Sequence, residues 1–315
     1  MNRKAIIISI SGKSLTKKEK ELLKDEKPWG LILFKRNIIN FDQTCLLIKS
    51  IRKVVNDKNF PILVDEEGGT VCRLSAFLDN RIYSQKFFGD LFGTNKGLAI
   101  SLYKNYISSM CSVLKLLGIN INTVPVLDVL KKKSHKIIGT RSYSEEEKTI
   151  KSLASICIKE YKKNKISNVI KHIPGHGSSL VDSHKKLPIV KTSNKELSKV
   201  DFNCFKNSNS LFAMTAHIIY HNIDPNHVAT HSKIVINKII RKKIGFKGIL
   251  ISDDISMKAL KYDLITNAQK SLEAGCNLVL YCSGNFSELK HIIKHIPLID
   301  AFTIKKTSEF YKFLS

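Results

Sequence analysis

Residues 248–257, GILISDDISM, set an unbroken apolar and β-branched run directly against two consecutive carboxylates. A run that is apolar on both faces belongs to a strand covered on both sides, as in a parallel sheet wrapped by helices. The pattern recurs outward from this stretch, at 5–10, 30–34, 61–64, 121–126, 169–173, 211–216 and 277–282. A polar or glycine-containing turn follows each run. Segments with helical spacing lie between them, including 42–55, 96–117, 145–163, 233–243 and 257–274. Strand and helix units in this alternation, with no Pro/Ser-rich linker, predict an α/β fold: a (β/α)8 TIM-type barrel spanning 1–315 as a single domain.

The fold dictates where to look for chemistry, because barrels of this kind carry their functional groups at the C-terminal ends of the strands. Asp65-Glu66-Glu67 follows one run, Asp128 another, Lys171-His172 a third, His217 a fourth and Asp253 a fifth. Gly68-Gly69 allows the backbone after the first cluster to turn sharply beside a ligand. The stretch 171–184, KHIPGHGSSLVDSH, places three histidines and an aspartate around a Pro-Gly turn. Asp182 and His184 sit two residues apart, so a carboxylate can orient an imidazole for proton transfer, or the pair can belong to a solvated turn. Asp253 reads either as a nucleophile or as a helix N-cap. The expected division aims Asp253 at the barrel axis and gives Asp254 the cap of the following helix.

Other patterns have plainer readings. Four HxxxH spacings, beginning at His172, His217, His227 and His291, raise the question of zinc, but Pro174-Gly175 interrupts any helix across the first. Lys171, Arg73 and Arg141 are either surface cations or donors to a polar ligand. Trp29, the only tryptophan, is expected to pack against the barrel.

Composition narrows the class. Hydrophobic residues make up 43% of the chain, enough for a large core, and the net charge is +25. The lysines are spread along the whole length without aromatic interleaving, which predicts a solvated basic surface tolerant of anionic substrates rather than a nucleic-acid groove. Seven cysteines without a CxxC pair point to buried thiols in a reducing, cytoplasmic setting. The N-terminal apolar stretch is too short for a signal peptide and reads as the first strand.

Taken together, KPWGLILFKRNI, VDEEGGTVCRL, NTVPVLDV, IIGTRSYS, KHIPGHGSSLVDSHKKLP, MTAHIIYHNIDP, GFKGILISDDISMKAL and SLEAGCNLVLYCS resemble glycoside hydrolase family 3 over nearly the whole chain. The likeness is to its single-domain bacterial β-N-acetylglucosaminidases (β-hexosaminidases) of cell-wall recycling. That resemblance implies Asp253 as nucleophile, with His184 as general acid/base oriented by Asp182. It implies Asp65, Arg73, Arg141, Lys171 and His172 as the residues that bind N-acetylglucosamine. The chain departs from the family at Thr70, where arginine is usual, at Asn277, where an acidic residue is common, and around 81–87, where a proline-containing segment is expected. The implied activity is retaining hydrolysis of a terminal β-linked N-acetylglucosamine from muropeptides. The expected partner is an oligosaccharide substrate alone, acted on by a monomer without cofactor, metal, nucleic acid or membrane. A phosphorylase using the same residues and a metal-dependent barrel hydrolase are the alternatives.

Overall fold

The structure, a computed structural model, describes residues 2–131, 138–177 and 187–315. Among these residues, eight parallel strands close into a barrel: β1 (Lys4–Ile8), β2 (Pro28–Leu33), β3 (Ile62–Val64), β4 (Ile121–Asn122), β5 (Ser167–Ile173), β6 (Phe212–Thr215), β7 (Ile249–Asp254) and β8 (Leu278–Tyr281). Each strand pairs with its neighbour in chain order, and β8 returns to β1. The strands are buried almost throughout, as expected when side chains fill the barrel on one face and helices cover the other. Trp29 is one of these core residues. Its ring lies against Phe212 and Phe310, and its indole N–H donates to Thr307.

The helices have readable causes. Helix α1 (Lys17–Glu26) opens on a capping box in which the Thr16 hydroxyl accepts from Glu19 N while the Glu19 carboxylate accepts from Thr16 N. Asn40 caps α2 (Phe41–Val55). Ser84 caps α3 (Gln85–Thr94), and Asn95 caps α4 (Lys96–Leu117), which turns Ala99, Tyr103, Ile107, Met110, Leu114 and Leu117 inward. Then follow α5 (Glu147–Lys163), α6 (Asn194–Lys199) and a π-wound helix, Val235–Ile244, closed by a left-handed Gly245. The last three are α7 (Leu264–Ala274), α8 (Phe286–Ile293) and α9 (Ala301–Leu314).

Two boundaries differ from the sequence reading. Regular pairing of β4 stops at Asn122, because Pro125 has no N–H to donate and the Asn122 side chain bonds across to the Glu66 backbone. The helix expected from 257 begins at Leu264, capped by Asp263. Asp254 therefore caps no helix. Its carboxylate instead accepts from Ser256 N, Ser256 Oγ and Cys282 N, which ties the turn after β7 to the end of β8.

Two breaks of register shape the barrel mouth. On β7, the pairing passes from Leu278↔Ile251 to Leu280↔Asp254, and on β5 from Lys171↔Met214 to Ile173↔Thr215. A regular strand points neighbouring side chains to opposite faces, and an extra residue offsets that alternation. Consecutive residues, Asp253 with Asp254 and Lys171 with His172, thus face one cleft.

Candidate active site

The cleft, about 130 Å³ in volume, lies at the C-terminal ends of the strands, where barrels of this kind carry their functional groups. Its polar lining comprises Asp65, Arg73, Thr123, Arg141, Lys171, His172, His176, Asp253 and Asp254. Phe34, Met214, Met257 and Leu280 supply apolar walls.

Asp65 follows β3 and is held from three sides. Its Oδ2 accepts from Arg73 Nη2 at 2.8 Å, and its Oδ1 accepts from Thr123 Oγ1 at 2.5 Å and from Lys171 Nζ. Burial alone would raise its pKa. Lys171, Arg73 and Arg141 overcome that and keep the carboxyl well below the usual range. Asp65 is thus a fixed anion at the cleft. The loop that returns Arg73 to it depends on Gly68, whose φ is +78° and whose Cβ, if present, would stand 2.3 Å from the Tyr83 carbonyl oxygen. Glu66 secures the same loop by accepting from Arg73 N at 2.6 Å and Leu74 N at 2.7 Å.

His172 is oriented from behind by Asp128. The two meet at 2.7 Å through Nδ1, and Asp128 Oδ1 also accepts from His176 N at 2.6 Å. Desolvation pushes the Asp128 carboxyl upward, but His172 and His176 outweigh it and hold it low. Because that carboxylate only accepts, His172 carries its proton on Nδ1. His176 is driven down to about 4 by burial, so its ring is neutral at neutral pH.

Asp253 and Asp254 end β7. Asp253 Oδ1 accepts from Asp254 N at 2.8 Å, and its charge is felt by both His176 and His217. Burial raises the Asp254 carboxyl. His217 sits behind the strand tip, where Nε2 donates to the Asp254 carbonyl at 3.0 Å and Nδ1 meets Thr230 Oγ1 at 2.8 Å. Desolvation lowers its pKa.

Asp65, Arg73, Arg141, Lys171, His172 and Asp253, all anticipated from sequence, therefore share one cleft. Asp182 and His184 lie outside the described residues. Asp128, His217 and Glu66 stand at strand ends as expected, yet they brace neighbours instead of lining the opening. His176 was singled out only as one of the three histidines of 171–184, and Thr123, Phe34 and Met257 were not anticipated as lining, although each lies in or at the end of a quoted strand-end stretch. Asn277, one of the departures, works at the opposite end of β8 from Cys282, where its Oδ1 accepts from Leu250 N and Arg241 Nη2. Among the described residues, no group of three or more His, Cys, Asp or Glu side chains is arranged to hold a metal ion.

A parallel (β/α)8 barrel whose mouth pairs strand-end carboxylates with buried cations belongs to the class of barrel enzymes that act on polar small molecules. The particular family is given by comparison: residues 4–304 match the Glycosyl hydrolase family 3 N terminal domain, and the chain belongs to that family. It is 34% identical over 287 residues to a β-hexosaminidase of Haemophilus influenzae, covering 89% of this chain and 79% of the relative. A β-hexosaminidase of Mannheimia succiniciproducens is also 34% identical, with 88% and 80% covered. The crystal structure of NagZ from Neisseria gonorrhoeae in complex with N-trifluoroacetyl-D-glucosamine superposes with a TM-score of 0.88 at 28% identity, covering 100% of this chain and 91% of that one.

Proposed function

We propose that this family 3 glycoside hydrolase, of the β-N-acetylhexosaminidase type, is a retaining exo-β-N-acetylglucosaminidase that removes non-reducing terminal N-acetylglucosamine from peptidoglycan-derived muropeptides. The whole chain serves as one catalytic domain, working in the cytoplasm as a monomer. The observation that carries the reading is the convergence of Asp253 with Asp65, Arg73, Arg141, Lys171 and His172 on one cleft. The sugar's hydroxyls would donate to the fixed anion Asp65 and to His172 Nε2, the ring nitrogen without a proton, and accept from Arg73 and Arg141. Asp253 then attacks the anomeric carbon while His184, protonated and oriented by Asp182, donates a proton to the departing oxygen. A covalent glycosyl-enzyme forms, and water, deprotonated by the now neutral His184, releases the sugar with its configuration retained. The relatives' name, β-hexosaminidase, and the glucosamine derivative held by the gonococcal protein support the sugar. Seven unbridged cysteines are in keeping with a reducing compartment.

The test is Asp253→Ala assayed on an aryl N-acetyl-β-glucosaminide. Loss of at least about 10³-fold in kcat with an unchanged melting profile is expected if the covalent step is removed. Substantial remaining turnover would exclude Asp253 as nucleophile.

A further inference from the structure

Glu67 has no place in the proposed chemistry, yet its carboxylate is paired with two cations behind the cleft. It is 4% exposed, and its side chain grips Arg141 as a fork, with Nε to Oε2 and Nη2 to Oε1 both at 2.8 Å. The same Oε1 stands 2.6 Å from Lys171 Nζ. Lys171, 2% exposed, is in turn surrounded by Glu67 Oε1, Thr123 Oγ1 at 3.0 Å and Asp65 Oδ1. An ammonium has three N–H donors, and three oxygens meet it here. Two of its donors are bonded to Asp65 and Thr123, and its charge is paired by Glu67, which makes Lys171 a brace for Asp65 more than a donor to sugar.

Burial pushes the Glu67 carboxyl upward, but Arg141 and Lys171 prevail and hold it anionic, with Asp65 acting in the opposite sense. An anion with two cations on it, at the back of the pocket and out of reach of a ligand in the opening, does not bind substrate. It fixes the things that do. A planar guanidinium held by Nε and one Nη has its direction set, and an ammonium held by two carboxylates and a hydroxyl sets the carboxylate opposite.

We infer that Glu67 is a positioning residue for the reaction: through Arg141 and Lys171 it sets the two sugar-facing groups, the Arg141 guanidinium and the Asp65 carboxylate, at the depth the terminal sugar requires. This rests on the function proposed above and extends it to a residue that never touches the substrate. Glu67→Gln keeps the shape and removes the charge, turning an amide N–H toward one of the cations.

The experiment compares the whole wild-type chain with Glu67→Gln and Glu67→Asp. It measures kcat and KM on an aryl N-acetyl-β-glucosaminide, the affinity for free N-acetylglucosamine by calorimetry, and the melting profile. A shift of the positioned groups by an ångström or so predicts a fall of about a hundredfold in kcat/KM for Glu67→Gln. Weaker binding of free sugar should account for part of that fall while the folded fraction stays unchanged. Wild-type kcat/KM and sugar affinity in Glu67→Gln would overturn the inference, as would losses that follow only the unfolded fraction. If Glu67→Gln does not fold, Glu67→Asp carries the test, since the shorter side chain withdraws the carboxylate from the fork but keeps the charge. The same weakening is expected there, and unchanged sugar affinity would overturn the proposal. An inactive wild-type protein on this glycoside would instead refute the proposed function, so the two failures are distinct.

Discussion

Arg141 and Lys171 show how much of a residue's role depends on distant partners. In sequence each is one cation among many, whereas in the structure Arg141 is bound to a carboxylate 74 positions away and Lys171 to one 106 positions away. His184 poses the opposite problem: its motif is distinctive, but it lies outside the described residues, and its role as acid is tested by kinetics. Removing a general acid costs most where the leaving group needs the proton, by about 10²–10⁴-fold. His184→Ala is therefore expected to lose far more kcat/KM on glycosides with alkoxide or sugar leaving groups than on a dinitrophenyl glycoside. A leaving-group series gives the result directly, and equal losses along it would remove His184 from the acid role.

At the scale of elements, the strand ends and their loops decide which side chains become neighbours. The bulges on β5 and β7 bring consecutive residues onto one cleft, and nothing in an apolar run marks where the extra residue falls. The loop after β3 is more legible. Gly68-Gly69 announces a turn, and the structure gives both residues positive φ, with Glu66 pinning the returning segment at Arg73 and Leu74. Gly68→Ala is expected to destabilise the fold by about 2 kcal/mol or more, from the left-handed backbone and the clash with the Tyr83 carbonyl. Because Arg73 rides on this loop, kcat/KM should fall in the fraction that stays folded. Urea titration with activity measured in parallel checks both, and a stable, fully active variant would contradict this account. The misplaced start of α7 has a related cause. Both Asp254 and Asp263 are good caps by type, and the choice went to Asp263 because the carboxylate of Asp254 is taken up by Ser256 and Cys282.

For the molecule as a whole, the buried histidines link stability to pH. Burial lowers His176 and His231 to about 4, and His217 is lowered as well. In the unfolded chain these rings take up protons near pH 6.5. Between there and about 4 the unfolded state binds more protons, so stability is full above 6.5 and declines as the pH falls through that window. Glu66 and Asp254, raised by burial, act in the opposite sense near their own titrations, so a variant difference is the proper measure. His231→Gln, away from the cleft lining, should reduce the loss of urea stability between pH 7 and 5 by on the order of 1–3 kcal/mol. An identical pH slope in both proteins would count against it.

The chain order of eight apolar runs, and a polar cluster after several of them, was fixed locally, since burial on both faces writes itself into consecutive residues. From that followed the barrel and the side of it on which chemistry resides. Tertiary structure alone decided that Asp128, Glu66 and His217 brace their neighbours, that Glu67 locks Arg141 and Lys171, and that Asp65 is held as an anion. Those assignments depend on distances between residues far apart in the chain, and Coulomb and hydrogen-bond energies are set by separation in space, which spacing along a sequence does not encode.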